Sequence, residues 1–169
     1  MSHPLVLAVY PSAVAATAAA RALHALGVRR EDISVVARTH DEEGALAEQM
    51  NATPGADIED SRAAAVFGEL GGVALAAIAM VMPGIGPIVA AGPLSAGLGE
   101  AAGHVAGGIA GVLRGAGLAD DRADAIQREV ERGAVLLGVH VTSGDVATIQ
   151  SALAASGATR VEIANWSEE

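Results

Sequence analysis

The chain contains no cysteine and no lysine, and its aromatic residues number three: one Phe, one Tyr and one Trp. The missing thiols exclude a disulfide framework, a cysteine nucleophile and a thiolate metal site. With so few rings, the interior must pack by close backbone approach, and stacking platforms for bases are missing. Positive charge is also scarce. All ten basic residues are Arg, against twenty Asp and Glu, for a formal net charge of −10. Nucleic-acid affinity rests on basic residues that release counterions, so nucleic acid is excluded as an expected partner. What the chain has in abundance is Ala and Gly: 51% of residues are hydrophobic and 21 are Gly.

At 169 residues the chain suits one domain, or one domain with an insertion. Leu5 to Tyr10 is a continuous apolar run between Pro4 and Pro11, which predicts a buried strand. Ser12 is the expected cap of a helix reaching Leu26, with Val14, Ala18, Ala22 and Leu26 inward and Gly27 as its stop. Ile33 to Arg38 predicts a second strand. The C-terminal third repeats the plan. Val135 to Val141 predicts a strand, Ser143 caps a helix that turns Val146, Ile149 and Leu153 inward, and Val161 to Ala164 predicts the last strand, with Glu162 outward. An additional helix over about Asp120 to Arg132 carries Ala123, Ile126 and Val130 on one side.

Two β-α-β units predict an α+β, ferredoxin-like fold: a four-stranded sheet with helices on one face, its first and third strands central. Ser34 and Glu162 interrupt the second and fourth strands, as suits edges. Residues 1–38 and 119–169 would form this domain. Residues 39–60 are acidic, broken by Thr53-Pro54-Gly55, and predict a linker.

Residues 61–117 differ. No charged residue occurs from Leu70 to Gly99. Pro83, Gly84, Gly86, Pro87 and Pro93 interrupt this stretch and predict the turn of an inserted helical hairpin, its arms running from Ser61 to Met82 and from Leu94 to Arg114. Gly99, Gly103, Gly107, Gly111 and Gly115 recur at spacing four, and Gly68 and Gly72 echo them in the first arm. On continuous helices these residues form a smooth face for close helix packing, a glycine zipper. Interior glycines cost a helix about 1 kcal/mol each relative to Ala, which tight packing must offset. Self-assembly into a homo-oligomer is the leading expectation. The second is a re-entrant hairpin in contact with one membrane leaflet, because the uncharged arms are too short to span a bilayer; the third is a hairpin folded back onto its own domain.

Three stretches resemble the bacterial general stress (heat-induced stress) proteins: Glu31 to Arg38, Pro83-Gly84-Ile85-Gly86-Pro87 through Leu94, and Arg132 to Val139. The resemblance implies a stress-associated role and a cytoplasmic setting, and it supplies no catalytic residue. The N-terminal Met1-Ser2-His3-Pro4 lacks the basic region and cleavage site of a secretory signal, in line with that setting.

Chemistry is sparse. No phosphate loop and no nucleophile–base pair are evident, so neither an enzyme nor a cofactor is expected. Glu100 and His104 share a helical face and could come level with Glu69 across the hairpin, a candidate divalent-metal cluster or the polar rim of the hairpin. Tyr10 and His140 end the two central strands and are candidates to line a ligand pocket on an open sheet face. Such a pocket would make the chain a regulatory module.

Overall fold

The computed structural model describes residues 2–38, 77–82, 85–103 and 108–167. The elements run β1 (Ser2–Tyr10), α1 (Ala13–Ala25), a 3-10 turn (Arg30–Asp32), β2 (Ile33–Arg38), β3 (Ala77–Met82) and β4 (Gly86–Ala91). They continue with α2 (Leu94–Gly103), α3 (Gly108–Gly115), α4 (Asp120–Glu131), β5 (Val135–His140), α5 (Val146–Ala155) and β6 (Arg160–Ser167). The class is α+β. All six strands form one antiparallel sheet in the order β3-β4-β2-β5-β1-β6.

The apolar runs that predicted central strands do sit centrally. β1 lies between β5 and β6, with Leu5 opposite His140 and Ala164. Both faces of the sheet are covered, which explains why these strands are apolar at every position rather than at alternate ones. Val6, Ala8 and Tyr10 join a cluster with Ala16, Ala20, Leu23, Ile149 and Leu153, beneath α1 and α5. Leu5, Leu7 and Val9 join a second cluster with Leu94, Leu98, Ile109, Leu113, Ile126 and Val130, beneath α2, α3 and α4.

Tyr10 is fully buried, and its hydroxyl donates to the Leu153 carbonyl at 3.0 Å, tying β1 to α5. Burial pushes the Tyr10 hydroxyl up to about 12, so it stays a neutral donor. Tyr10→Phe keeps the ring and loses this bond. The expected cost, read by urea denaturation, is about 1 kcal/mol.

Several expectations are corrected. Helices lie on both faces rather than one, and the sheet has six strands rather than four. β2 is not an edge: β4 pairs along it, and Ser34 is fully buried. The inward face of α1 is set by Ala16, Thr17, Ala19, Ala20 and Leu23, while Val14 and Leu26 are exposed. The helix before β6 is capped by Asp145 rather than Ser143. The Asp145 carboxylate accepts from the Ala147 and Thr148 amides, and these bonds with the Thr148 hydroxyl lower its pKa. Glu162 does not point to open solvent; it pairs with Arg122 of α4 and Arg160, and its side chain is mostly covered.

The largest correction concerns the insert. Ala77–Met82 is a strand rather than the end of a helix, and Gly86 and Pro87 open strand β4 rather than lying in a turn between helices. Pro87 lacks the N–H that a helix interior would require, and the Ile and Val after it favour a strand. Pro93 lies in the turn that leads into α2. The second arm is two helices. A Cβ on Gly97 would sit 3.2 Å from Val112 Cγ1, whereas fifteen residues of continuous helix would separate them by about 22 Å. Therefore α2 and α3 fold back on one another, and Gly108, at φ +53, opens the second. Gly99 lies in α2 whereas Gly111 and Gly115 lie in α3, so these glycines do not form one continuous zipper face. A Cβ at Gly99 or Gly115 would meet nothing within 4 Å; the close approach uses Gly97 instead. Gly68, Gly72, Pro83, Gly84 and Gly107 lie outside the described residues, and Gly103 is the last residue of α2.

Candidate functional site

Two buried polar side chains of the described core, Ser34 and His140, meet at one place. β1, β2, β5 and β6 send His3, Ser34, His140 and Trp166 to the face covered by α2 and α3, at the end of the sheet where α2 begins. The antiparallel register produces this convergence: Leu5 faces both His140 and Ala164, and Ser34 lies opposite Gly138. Gly138 makes the room. A Cβ there would stand 2.9 Å from Leu94 Cδ1, so α2 rests on the sheet where β5 has no side chain.

Four groups form a chain of hydrogen bonds. The Leu94 amide, at the first turn of α2, donates to Ser34 Oγ at 3.0 Å. Ser34 Oγ lies 3.1 Å from His140 Nε2, and His140 Nδ1 lies 3.0 Å from His3 Nε2. The direction follows from counting protons. Ser34 accepts from Leu94, and its own hydroxyl proton has no described acceptor other than His140 Nε2, to which it is given. His140 then carries its ring proton on Nδ1 and donates to His3 Nε2. The Leu94 amide, the Ser34 hydroxyl and both ring nitrogens of His140 are thereby paired, as burial demands.

Trp166 closes the site. Its ring meets that of His140 at right angles, with centroids 5.4 Å apart, and His3 stands at 5.3 Å on another side. His140 is 2% exposed, and burial, aided by the nearby His3, lowers its pKa to about 4. Asp32 opposes this shift but is already engaged: Arg29 grips its carboxylate with two N–H donors, and the Thr142 hydroxyl adds a third contact. The neutral imidazole is therefore the resting form.

This arrangement can accept, hold and relay a proton. It does not resemble a nucleophile poised for substrate. Ser34 is fully buried, and its oxygen is occupied by the Leu94 amide.

Sequence reasoning had placed its candidates elsewhere. Tyr10 and His140 do not line one pocket: Tyr10 is opposite Val135 and His140 opposite Leu5, at the two ends of the ladder. Helices cover both sheet faces, so the expected open face is absent among the described elements. Glu69 and His104 lie outside the described residues, as does the side chain of Glu100 on α2, and their meeting is not seen. Among the described residues no group of three or more His, Asp or Glu is placed to hold a metal ion, and no helix is long and apolar enough to cross a membrane. The missed signal was the polar residue inside an otherwise apolar strand. Ser34 in β2 and His140 at the end of β5 each required a buried partner.

Comparison with family models, curated proteins and solved structures finds no match.

Proposed function

We propose that the protein is a non-enzymatic, stress-associated protein that self-associates through its apolar insert. Its α+β body is read as a ferredoxin-like unit of β1, β2, β5 and β6 to which the insert adds strands and helices. The order β2-β5-β1-β6 and the two β-α-β crossovers support that reading of the body. The stress role rests on the resemblance of the three stretches named above.

The observation that carries self-association is the contrast between the two outermost strands of the described sheet. β6 is guarded. Arg160 pairs with Glu129, Glu162 with Arg122, and the Asn165 amide donates to the Ala116 carbonyl at 2.8 Å. β3 reads Ala-Ile-Ala-Met-Val-Met, without a charge, proline or glycine. Soluble proteins usually protect such a strand, because its unpaired backbone groups offer a ladder to another chain. Antiparallel pairing of β3 with the β3 of a second copy would continue the sheet across a two-fold axis. The glycine face envisaged from the sequence is replaced by a strand edge in the same insert.

The absence of native cysteine makes the test clean. Single cysteines placed in turn along Ala77–Met82 should give a disulfide-linked dimer near the middle of β3, and Ile163→Cys on β6 should give none. Light scattering on detergent-free wild type should report a dimer or a larger discrete species. A monomer at every concentration, with no crosslink from any β3 position, would overturn the proposal.

A further inference from the structure

We propose that the His3–His140–Ser34 chain is a proton-operated latch that fastens α2 to the sheet and releases it in acid. This inference is independent of how copies associate. It begins with the position of Leu94, whose amide is the first of α2 and whose side chain rests over Gly138. One hydroxyl, Ser34 Oγ, holds that amide, and one imidazole, His140, takes the proton of that hydroxyl. The polarity of the chain is fixed as long as His140 is neutral.

A second proton on His140 reverses that polarity. Nε2 then carries a hydrogen aimed at Ser34 Oγ, 3.1 Å away, and the hydroxyl hydrogen must turn aside. Ser34 would accept from both His140 and Leu94, leaving its own proton without an acceptor among the described residues. The imidazolium would also be a buried charge, and burial disfavours the charged form. Lifting α2 admits water and relieves both problems.

The groups that face His140 come from each neighbouring element. β1 supplies His3, whose charge would oppose that of His140. The turn before β2 supplies Asp32, the one acidic neighbour among the described residues, committed to Arg29 and Thr142. β6 supplies Trp166, which does not titrate, and α2 supplies only the Leu94 amide, which reaches His140 through Ser34. No described group is placed to neutralise a charged His140 fully.

Hydrogen exchange decides the matter, with rates corrected for the intrinsic effect of pH. Between His140's ordinary pKa of 6.5 and its buried value of about 4, opening of α2 should rise about tenfold per pH unit, to a limit of about 300-fold. The expected result is that Leu94 and Leu98 open at lower free energy than Leu7 and Leu137 of the central strands, whose protection falls only with the stability of the whole fold. Trp166, the sole tryptophan, should report the same transition in its fluorescence. His140→Gln should flatten the profile of α2. If that variant does not fold, the wild-type profile alone decides. Protection at Leu94 that is level from pH 7 to pH 4.5, or equal to that of Leu137 at every pH, would overturn the latch.

Discussion

Gly92→Ala is expected to destabilise the fold by at least about 3 kcal/mol, a large share of the roughly 5–15 kcal/mol that holds a typical domain together. Two effects add. Gly92 has φ +79, a conformation that costs other L-residues about 1–2 kcal/mol. More important, a Cβ there would lie 2.2 Å from the Ile33 carbonyl oxygen and 2.7 Å from Ser34 Cα. Both are backbone atoms of a strand paired on two sides, so neither can move aside cheaply. The β4–α2 turn would have to lift instead, drawing Leu94 away from Ser34. Gly27→Ala is the control. Gly27 has φ +85 but open space around it, so its replacement should cost only about 1–2 kcal/mol. Urea denaturation of the two variants beside wild type measures both. Equal losses would mean that the close approach at Gly92 contributes nothing beyond backbone strain.

Acid should weaken the whole fold through His140. Unfolded, this histidine takes a proton near its ordinary 6.5; folded, it does not until about 4. A group whose pKa is depressed by folding supports the native state fully above its unfolded value, and that support is lost as pH falls toward the folded value. The window therefore runs from about pH 6.5 down to about pH 4. Wild type should lose about 2–3 kcal/mol between pH 7 and pH 4.5 that His140→Gln does not. Asp145 acts in the same direction but at lower pH, because its own depressed carboxylate titrates below that window. Parallel urea curves for the two proteins at both pH values test this. If the difference between them is independent of pH, His140 is not the group that titrates.

Much of the body was legible in the sequence because its signals were physical rather than statistical. Continuous apolar runs placed β1 and β5 in the centre, and the Ala123, Ile126 and Val130 stripe placed α4, all three being fully buried. α1 was found, but its face was misjudged: in so Ala-rich a helix, Val14 and Leu26 dominate any pattern and yet lie outside. β3 was misread for a related reason. Ala and Met favour helix, and an uncharged run carries no period by which a strand and a buried helix could be told apart. The regular glycines implied one long helix, but spacing along the chain cannot reveal that α2 and α3 are separate helices packed against one another. The site itself was missed because His3, Ser34, His140 and Trp166 are distant in sequence, and only the strand register assembles them.

The place of β1 has a consequence for the birth of the protein. Its two neighbours are β5 and β6, so the earliest of the described strands waits for the two that come latest in chain order. Until Val135 to His140 has been synthesised, Leu5 to Tyr10 has no partner for its backbone on either side. Contacts between the extremes of a chain form slowly, and a waiting apolar strand is available to other nascent chains. Loss of β6 alone would leave one side of β1 bare in every finished molecule. Early termination of translation should therefore yield aggregates rather than smaller folded forms, and only completion of the C-terminal strand sequesters the N-terminal one.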